Sequence, residues 1–517
     1  MKRIYIYIMC SLLATSLHAQ YGLGSYLRDI IQKQEKGILV TAKLIEACGL
    51  CDSLDILRDN EYEKLFQIGM IQNYNGDYES FYAPEHRYYG YTLFAETDEF
   101  WENVLGKNYK DISVADVASF IQQQCYFTKE YANDEAYSSP ENVLYQFTTY
   151  HLLNRRLLPN RLVNHYNEWG YNINRMIPTV AVCEYYTTMG DRRLLRVFES
   201  AESNGVCLNR FPILDNGRQG TYHELSCDPD KVGIPINAIS TDILNANICL
   251  IDQLLTFDQA TADNMGKIRL RMDVASIFPE MATNDIRLSE ITDVRHKNVY
   301  LPCDVYPYLE DLTVSRDTRF LYWTGRGNGW SNMQGDEFSV RGLYDFTLRL
   351  PPVPTTNTYE LRMAVCTGGN MRGIVQPYFG TDPDNLRPLG MPIDFRQGGD
   401  NMLHTSKGNT PSNIGYVADT MNDDEYNQMT DNELRENGYM KGCNQYCAGA
   451  PGSSNMMRNS IICLRLILGR QTMDPNQTYY LRFKSVMDDS TRQFYMDYIE
   501  FCPKEVYDNP EEPEDIW

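Results

Sequence analysis

Enzyme chemistry needs a nucleophile, an activated water or a paired acid and base, and the short patterns that announce these are missing from this chain of 517 residues. It holds no His-Glu-x-x-His zinc motif, no Gly-x-Ser-x-Gly nucleophile elbow and no Gly-x-x-x-x-Gly-Lys phosphate loop. Past the N-terminal segment, His86, His151, His165, His223, His296 and His404 are scattered, with no pair at metal-ligand spacing. A glycosidase uses two carboxylates about 5 to 10 Å apart that can come from distant positions. With 69 Asp and Glu residues to draw on, the sequence leaves that chemistry open.

The window Phe320-Leu321-Tyr322-Trp323-Thr324-Gly325-Arg326-Gly327-Asn328-Gly329-Trp330 carries the side chains that sugar binding asks for. Sugar rings present apolar C–H faces ringed by hydroxyls, so aromatic platforms beside Arg and Asn suit them. Tyr322, Trp323, Arg326, Asn328 and Trp330 are the candidates, with Trp330 between Gly329 and Ser331 the ring expected at the surface. The competing reading packs Phe320, Tyr322 or Trp323 in a core and leaves the glycines as a turn. No cofactor is expected; Asp382 and Asp384, in Gly380-Thr381-Asp382-Pro383-Asp384-Asn385, are weak candidates for a structural calcium because the pattern lacks the ligand density of an EF-hand loop. Cys48-Gly49-Leu50-Cys51 has redox spacing, but it closes a helical pattern rather than opening one, where a helix N-terminus would lower the thiol pKa.

Residues 1–19 read as a secretory signal: Lys2 and Arg3, an apolar stretch, then Leu17-His18-Ala19 as a small-residue cleavage site. Export to the periplasm, cell surface or beyond is therefore expected, with no other window apolar enough for a transmembrane helix. Loss of Lys2 and Arg3 would take the formal charge from -22 to -24, which argues against nucleic acid and anionic membranes as partners. Of 14 cysteines, all but Cys10 lie past the signal, and many sit in apolar runs where they behave as small hydrophobes.

The chain is too long for one hydrophobic core, so at least two domains are expected. Apolar residues recur at helical spacing over 37–54, with Gly49 as a stop. Residues 259–267 form a polar stretch suited to a linker. Beyond it, alternating segments at 344–350, 361–365, 373–379, 461–468, 479–486 and 494–501, separated by Gly and Pro turns, predict an antiparallel β-sandwich. A polar insertion at 390–460 offers either a loop-borne binding surface or a floppy excursion, with a surface helix over 423–437. Residues 506–517 form an acidic tail, of which 508–515, with Pro510 and Pro513, is expected to be disordered.

Three dispersed segments carry a family resemblance: Tyr91-Thr92-Leu93-Phe94-Ala95-Glu96-Thr97-Asp98-Glu99-Phe100, then Tyr150-His151, then Asn245-Ala246-Asn247-Ile248-Cys249-Leu250-Ile251-Asp252. Their order and spacing resemble a fasciclin domain over residues 25–258, with Thr92, Phe94, Thr97 and Asp252 at motif positions and about 35 residues inserted after the opening helix. Glu96 stands where that family usually has Pro, and Cys249 where a His is common. The resemblance implies a small sheet packed with helices, and it singles out Tyr150 and His151 as an adhesion neighbourhood or, alternatively, as a buried cross-link with Thr92 and Thr97 as partners. Residues 479–501 are similar to the closing strands of galactose-binding-like jelly rolls. The expected architecture is thus an α+β fasciclin domain followed by an all-β sandwich over 268–505. The expected function is non-catalytic binding of a glycan or a protein, against the alternatives of a carboxylate-pair hydrolase or an architectural assembly component.

Overall fold

The structure is a computed structural model that describes residues 25–35, 37–76, 80–124, 130–163, 182–200, 205–209, 233–287, 298–324, 333, 336–368, 371–397, 414–420, 423–443, 457–459, 463–509, 511 and 514. It is mixed and strand-rich. Among its named strand pairs only Tyr91–Glu96 and Ala246–Ile251 run parallel; the rest are antiparallel.

The first box ends its strand at Glu96, where Thr97 turns extended and its Oγ1 accepts the Phe100 amide at 3.2 Å, capping helix Asp98–Leu105. The Asp98 carboxylate reaches back to the amides of Leu39 and Val40, both at 3.0 Å, and so anchors the N-terminus of helix Leu39–Ala47. That helix fills half of the expected 37–54 segment and is followed by Gly49 at φ +69°. Tyr91–Glu96 is central in a four-stranded sheet with Leu152–Leu153, Ala246–Ile251 and Ala238–Ser240.

This sheet is buried on both faces. Leu93, Ala95, Ala246 and Ile248 face a core that also holds Trp101, Ile45 and Phe147. Phe94, Leu153, Cys249 and Ile251 face a second core, which continues through Tyr186, Met272, Phe320, Phe346 and Phe501. The second core takes side chains from both halves of the chain. Residues 259–267 accordingly do not act as a linker. Gln259–Gly266 is a helix capped by Asp258, with Ala262 and Met265 buried, and a Cβ on Gly266 would lie 2.5 Å from Thr355 Oγ1. Residues 55–89 also bridge the halves: Arg87 reaches Asp59 at 2.9 Å, Glu280 at 3.0 Å and Glu310 at 3.1 Å.

Three further sheets make up the strand-rich part. A five-stranded sheet runs in the order Leu270–Asp273, Tyr498–Pro503, Asn357–Cys366, Cys463–Met473, Tyr439–Lys441. A four-stranded sheet holds Asn298–Leu301, Thr318–Thr324, Asp336–Gly342 and Gln493–Met496, and a branched sheet is built around Asp345–Arg349, Tyr480–Ser485 and Ile374–Gly380. The segment 494–501, expected as one strand, is two: the chain leaves the four-stranded sheet at Met496 and joins the five-stranded one at Tyr498, turning the corner at Asp497. A fourth antiparallel sheet, Val182–Thr187, Leu194–Ser200, Gly205–Leu208 and Ile234–Pro235, contributes Leu195 and Val197 to the second core.

Candidate functional site: a charged cleft on a sheet face

In the five-stranded sheet, side chains alternate between two unlike faces. Leu270, Met272, Met363, Val365, Leu464, Leu466, Ile499 and Phe501 enter the second core. The opposite face carries Arg271, Arg362, Arg465 and Glu500, all buried. Glu500 sits at the centre, with Arg271 Nε at 2.7 Å, Arg465 Nη1 at 3.3 Å, Arg362 Nη1 at 3.5 Å and Arg269 Nε at 3.5 Å. Burial pushes its carboxyl up, the surrounding guanidinium groups pull it down, and the guanidinium groups win, holding Glu500 well below the usual carboxylate range.

Two elements cover this face and leave a cleft of about 530 Å³ between them. One is helix Asp424–Glu436, capped by Asp423, whose Thr430 and Leu434 pack inward. Asp424, Gln428 and Asn432 follow at four-residue steps and line the cleft with Arg435. The other is the C-terminal turn Lys504–Tyr507 with the segment after it. Glu514 is not part of a disordered tail. Its carboxylate grips Arg362 with both oxygens and Arg269 at 2.8 Å, because buried arginines need counter-charges. The arginines hold Glu514, like Glu500, below its ordinary range against the opposing effect of burial. The rim is a second ionic set, in which Lys441 and Arg458 both bridge Asp419 and Asp431. Gln428 and Asn432 make no hydrogen bond to the described residues, leaving their amides for a ligand.

A second concavity of about 490 Å³ lies between Phe66, Tyr82, His86, Tyr88 and Asn284. Its amides are already committed: Asn284 Oδ1 accepts the Tyr88 amide at 2.6 Å, and Asn73 Oδ1 accepts that of Ala83 at 3.0 Å.

Beside the arginine face, Asp273, Asp336 and Asp497 bring carboxylate oxygens within 4.8 Å of one another, all buried. They accept hydrogen bonds from the Ala275 amide at 2.7 Å, the Tyr322 hydroxyl at 2.6 Å and the Met333 amide at 2.7 Å respectively, and Asp273 and Asp336 also bond each other. Asp273 Oδ2 and Asp497 Oδ1 have no hydrogen-bond partner among the described residues, and Arg287, 3.1 Å from Glu184, stays 3.7 Å from Asp273. Burial first, then mutual repulsion, raises the pKa of Asp273 and Asp497, and burial also raises that of Asp336. An all-oxygen set of this charge fits a hard divalent cation such as Ca²⁺.

The expected sugar platform is only partly in view. Tyr322 is 0% exposed and bonded to Asp336, and Trp323 is 8% exposed against Cys366 and Tyr495. Both are core residues, because strand Thr318–Thr324 is covered on both faces. Arg326, Asn328 and Trp330 lie outside the described residues. Asp382 and Asp384 are exposed, and Asp382 Oδ1 accepts the Asp384 amide at 3.1 Å in a local turn. They belong to no group that gathers ligand atoms for an ion among the described residues.

Tyr150 and His151 are also buried, the latter 2% exposed, so they form no surface patch. Tyr150 donates to Leu194 O at 3.1 Å. His151 is a cross-link, though through neither Thr92 nor Thr97: Nδ1 lies 2.7 Å from Phe147 O and Nε2 2.8 Å from Glu96 Oε1. Glu96 Oε1 also accepts the Leu255 amide at 3.1 Å. Thr92 instead bonds Arg155 O and the Leu157 amide, and Asp252 is exposed beyond the closing strand. Phe94 pairs in register with Cys249. Cys48 is buried beside Thr148, and burial pushes its thiol up to about 11, against redox use.

The arginine face was missed because Arg269, Arg271 and Asp273 alternating with Leu270 and Met272 reads as an ordinary solvent-facing strand. The signal was a charged residue set between apolar neighbours in each of four strands, at Arg271, Arg362, Arg465 and Glu500.

No family model and no curated protein matches the chain. Among solved structures, a xanthan lyase from Paenibacillus overlaps 33% of this chain and 11% of its own length, with 8% identity and a TM-score of 0.16. The K1 cleaved adhesin domain of Lys-gingipain from Porphyromonas gingivalis W83 overlaps 36% of this chain and 83% of its own, with 13% identity and a TM-score of 0.17. The Cry4Aa toxin of Bacillus thuringiensis overlaps 62% and 39%, with 13% identity and a TM-score of 0.20. The chain therefore spans about a tenth of the lyase, and overlaps this loose assign neither fold nor activity.

Proposed function

We propose that this chain is an exported, non-catalytic binding protein in which a fasciclin-like first part is packed on a β-sandwich whose charged cleft takes a glycan. The observation that carries the glycan reading is the cleft: about 530 Å³, lined by the buried Arg465 and Arg458, walled on one helix face by the amides of Gln428 and Asn432, which bond none of the described residues, and flanked by Tyr507. Hydroxyl-rich ligands are bound by such convergent planar polar groups. Of the acids lining the cleft, Glu514 is held ionised by the arginines and Asp419 and Asp431 are paired with Lys441 and Arg458, an arrangement that favours binding over proton donation to a leaving group. The fasciclin-like reading draws support from the two outer boxes lying as adjacent parallel strands, with His151 tied to the first. Burial of Tyr150 and His151 weighs against docking of a partner subunit at that pair.

The test is a glycan-array and polysaccharide-retardation screen of the full chain, with reducing-sugar release followed in parallel. The expected result is binding without release, weakened at least about tenfold by Gln428→Ala with Asn432→Ala, exposed changes that leave the fold intact. Sugar release, or affinity indifferent to this double change and to Tyr507→Ala, refutes the proposal.

A further inference from the structure

Strands Asn357–Cys366 and Cys463–Met473 are antiparallel, and their last rung pairs Cys366 with Cys463. Residues directly opposite in such a ladder have Cα atoms about 4.5 or 5.5 Å apart, depending on the rung, and both values fall inside the span of roughly 4.4 to 6.8 Å that a disulfide bridges. Both thiols point to the face opposite Val365 and Leu464. They are nearly buried, at 4% and 8% exposure.

A fixed cation addresses one of the two. Arg372 donates through Nε to Cys366 O at 3.0 Å and through Nη1 to Gln493 at 3.2 Å, while its Nη2 lies 3.3 Å from Cys366 Sγ. Its guanidinium is further held over the Tyr495 ring, 4.0 Å from the centroid. Two small hydrophobes would need no guanidinium aimed at sulfur. The hydrogen bond from Cys463 and the charge of Arg372 outweigh burial and hold Cys366 below the usual thiol range, whereas Cys463 is raised by the same partnership and by burial. Cys366 is thus the thiol favoured for attack, and Cys463 is placed to resolve the product.

We propose that Cys366 and Cys463 form a reversible cross-strand disulfide by exchange with an external disulfide, locking the end of the five-stranded sheet. The Cys366 thiolate attacks one sulfur of the incoming disulfide and expels the other as a thiolate, giving a mixed disulfide. Cys463 then gives its proton to solvent and attacks Cys366 Sγ, releasing the second thiol. Two protein thiols are oxidised and one external disulfide is reduced to two thiols. Because the pair occupies the terminal rung, fraying of that rung exposes it without unfolding the sheet.

The test uses the reduced full chain in mixtures of oxidised and reduced glutathione, quenched with acid, alkylated and mapped by peptide mass spectrometry, and it does not depend on export. The expected result is a peptide pair joined through Cys366 and Cys463 that grows with the proportion of oxidised glutathione and vanishes with dithiothreitol. In Cys463→Ser, Cys366 should keep a glutathione adduct, and the pH profile of its alkylation should move at least one pH unit higher when Arg372→Gln is added. Separate alkylation of both cysteines at every glutathione ratio, or linkage of either to another cysteine instead, overturns the proposal.

Discussion

Replacing Glu500 by Gln tests whether the arginine face is the ionic floor described above. The change keeps size and hydrogen-bonding shape but removes a fully buried carboxylate that four arginines approach, the nearest at 2.7 Å and the others at 3.3 to 3.5 Å. Glu514 and Glu360 still counter Arg362, but Arg271 is left without the partner it holds most closely. Removing one member of a buried ionic set costs about 3 to 5 kcal/mol. With a urea dependence of about 2 to 3 kcal/mol per molar, the midpoint should fall by about 1 to 2 M. The pH dependence supplies an independent check. The Glu500 pKa is depressed in the folded state, so its contribution is fully present above the unfolded value of about 4.3 and is lost as pH falls towards the folded value. The gap between wild type and Glu500→Gln should therefore be constant from pH 7 to about 5 and narrow by about 1.4 kcal/mol per pH unit below about 4. Urea titrations at pH 7, 5, 4 and 3 read both effects. A variant within about 1 kcal/mol of wild type at pH 7, or a gap that does not narrow in acid, refutes the reasoning.

Trp323→Ala should cost about 3 to 5 kcal/mol of stability while leaving glycan affinity in the surviving folded protein unchanged, since its ring is packed against Cys366 and Tyr495; calorimetry beside the binding screen separates the two. If the three buried aspartates hold a divalent cation, chelation should lower the melting temperature by several degrees, Ca²⁺ should restore it, and Asp497→Asn should abolish the response; a melting temperature indifferent to chelator would show that protons neutralise the cluster. Although burial disfavours the imidazolium of His151, Glu96 and its hydrogen bonds more than compensate and raise its pKa above the ordinary value. Its contribution is complete below about pH 6.5 and fades as pH rises through the folded value, so melting curves from pH 6 to 9 should show a decline that Glu96→Gln removes. Arg87→Met should cost about 3 to 5 kcal/mol, because Asp59 and Glu280 remain buried without it; Glu280, pushed up to about 7 chiefly by burial, should then take a proton more readily, and Glu280→Gln in that background should recover part of the loss.

Local pattern determined a good deal. The helix at Leu39–Ala47, the cap at Thr97, the helix at Asp424–Glu436 and the alternating strands from Asp345 onward follow from periodicity, capping chemistry and turn residues, which act over a few positions. Which face a strand turns to which neighbour is decided by residues hundreds of positions away. Tyr322 and Trp323 suited a sugar platform until a second layer covered them, and the Gln259–Gly266 stretch looked like a linker until its Ala262 and Met265 met a core. The arginines of the sheet face looked like solvent residues because burial of charge becomes tolerable only when Glu500, Glu360 and Glu514, drawn from three parts of the chain, are brought together. The three aspartates gather for the same reason: they sit near the ends of separate strands and the corner at Asp497 closes them into one site. The sequence by itself determined the elements and a strand-rich second half, since those depend on local sterics and hydrophobic period. The shared second core, the cleft and the facing of Cys366 with Cys463 were decided by tertiary structure alone, because each depends on which surfaces are removed from water together.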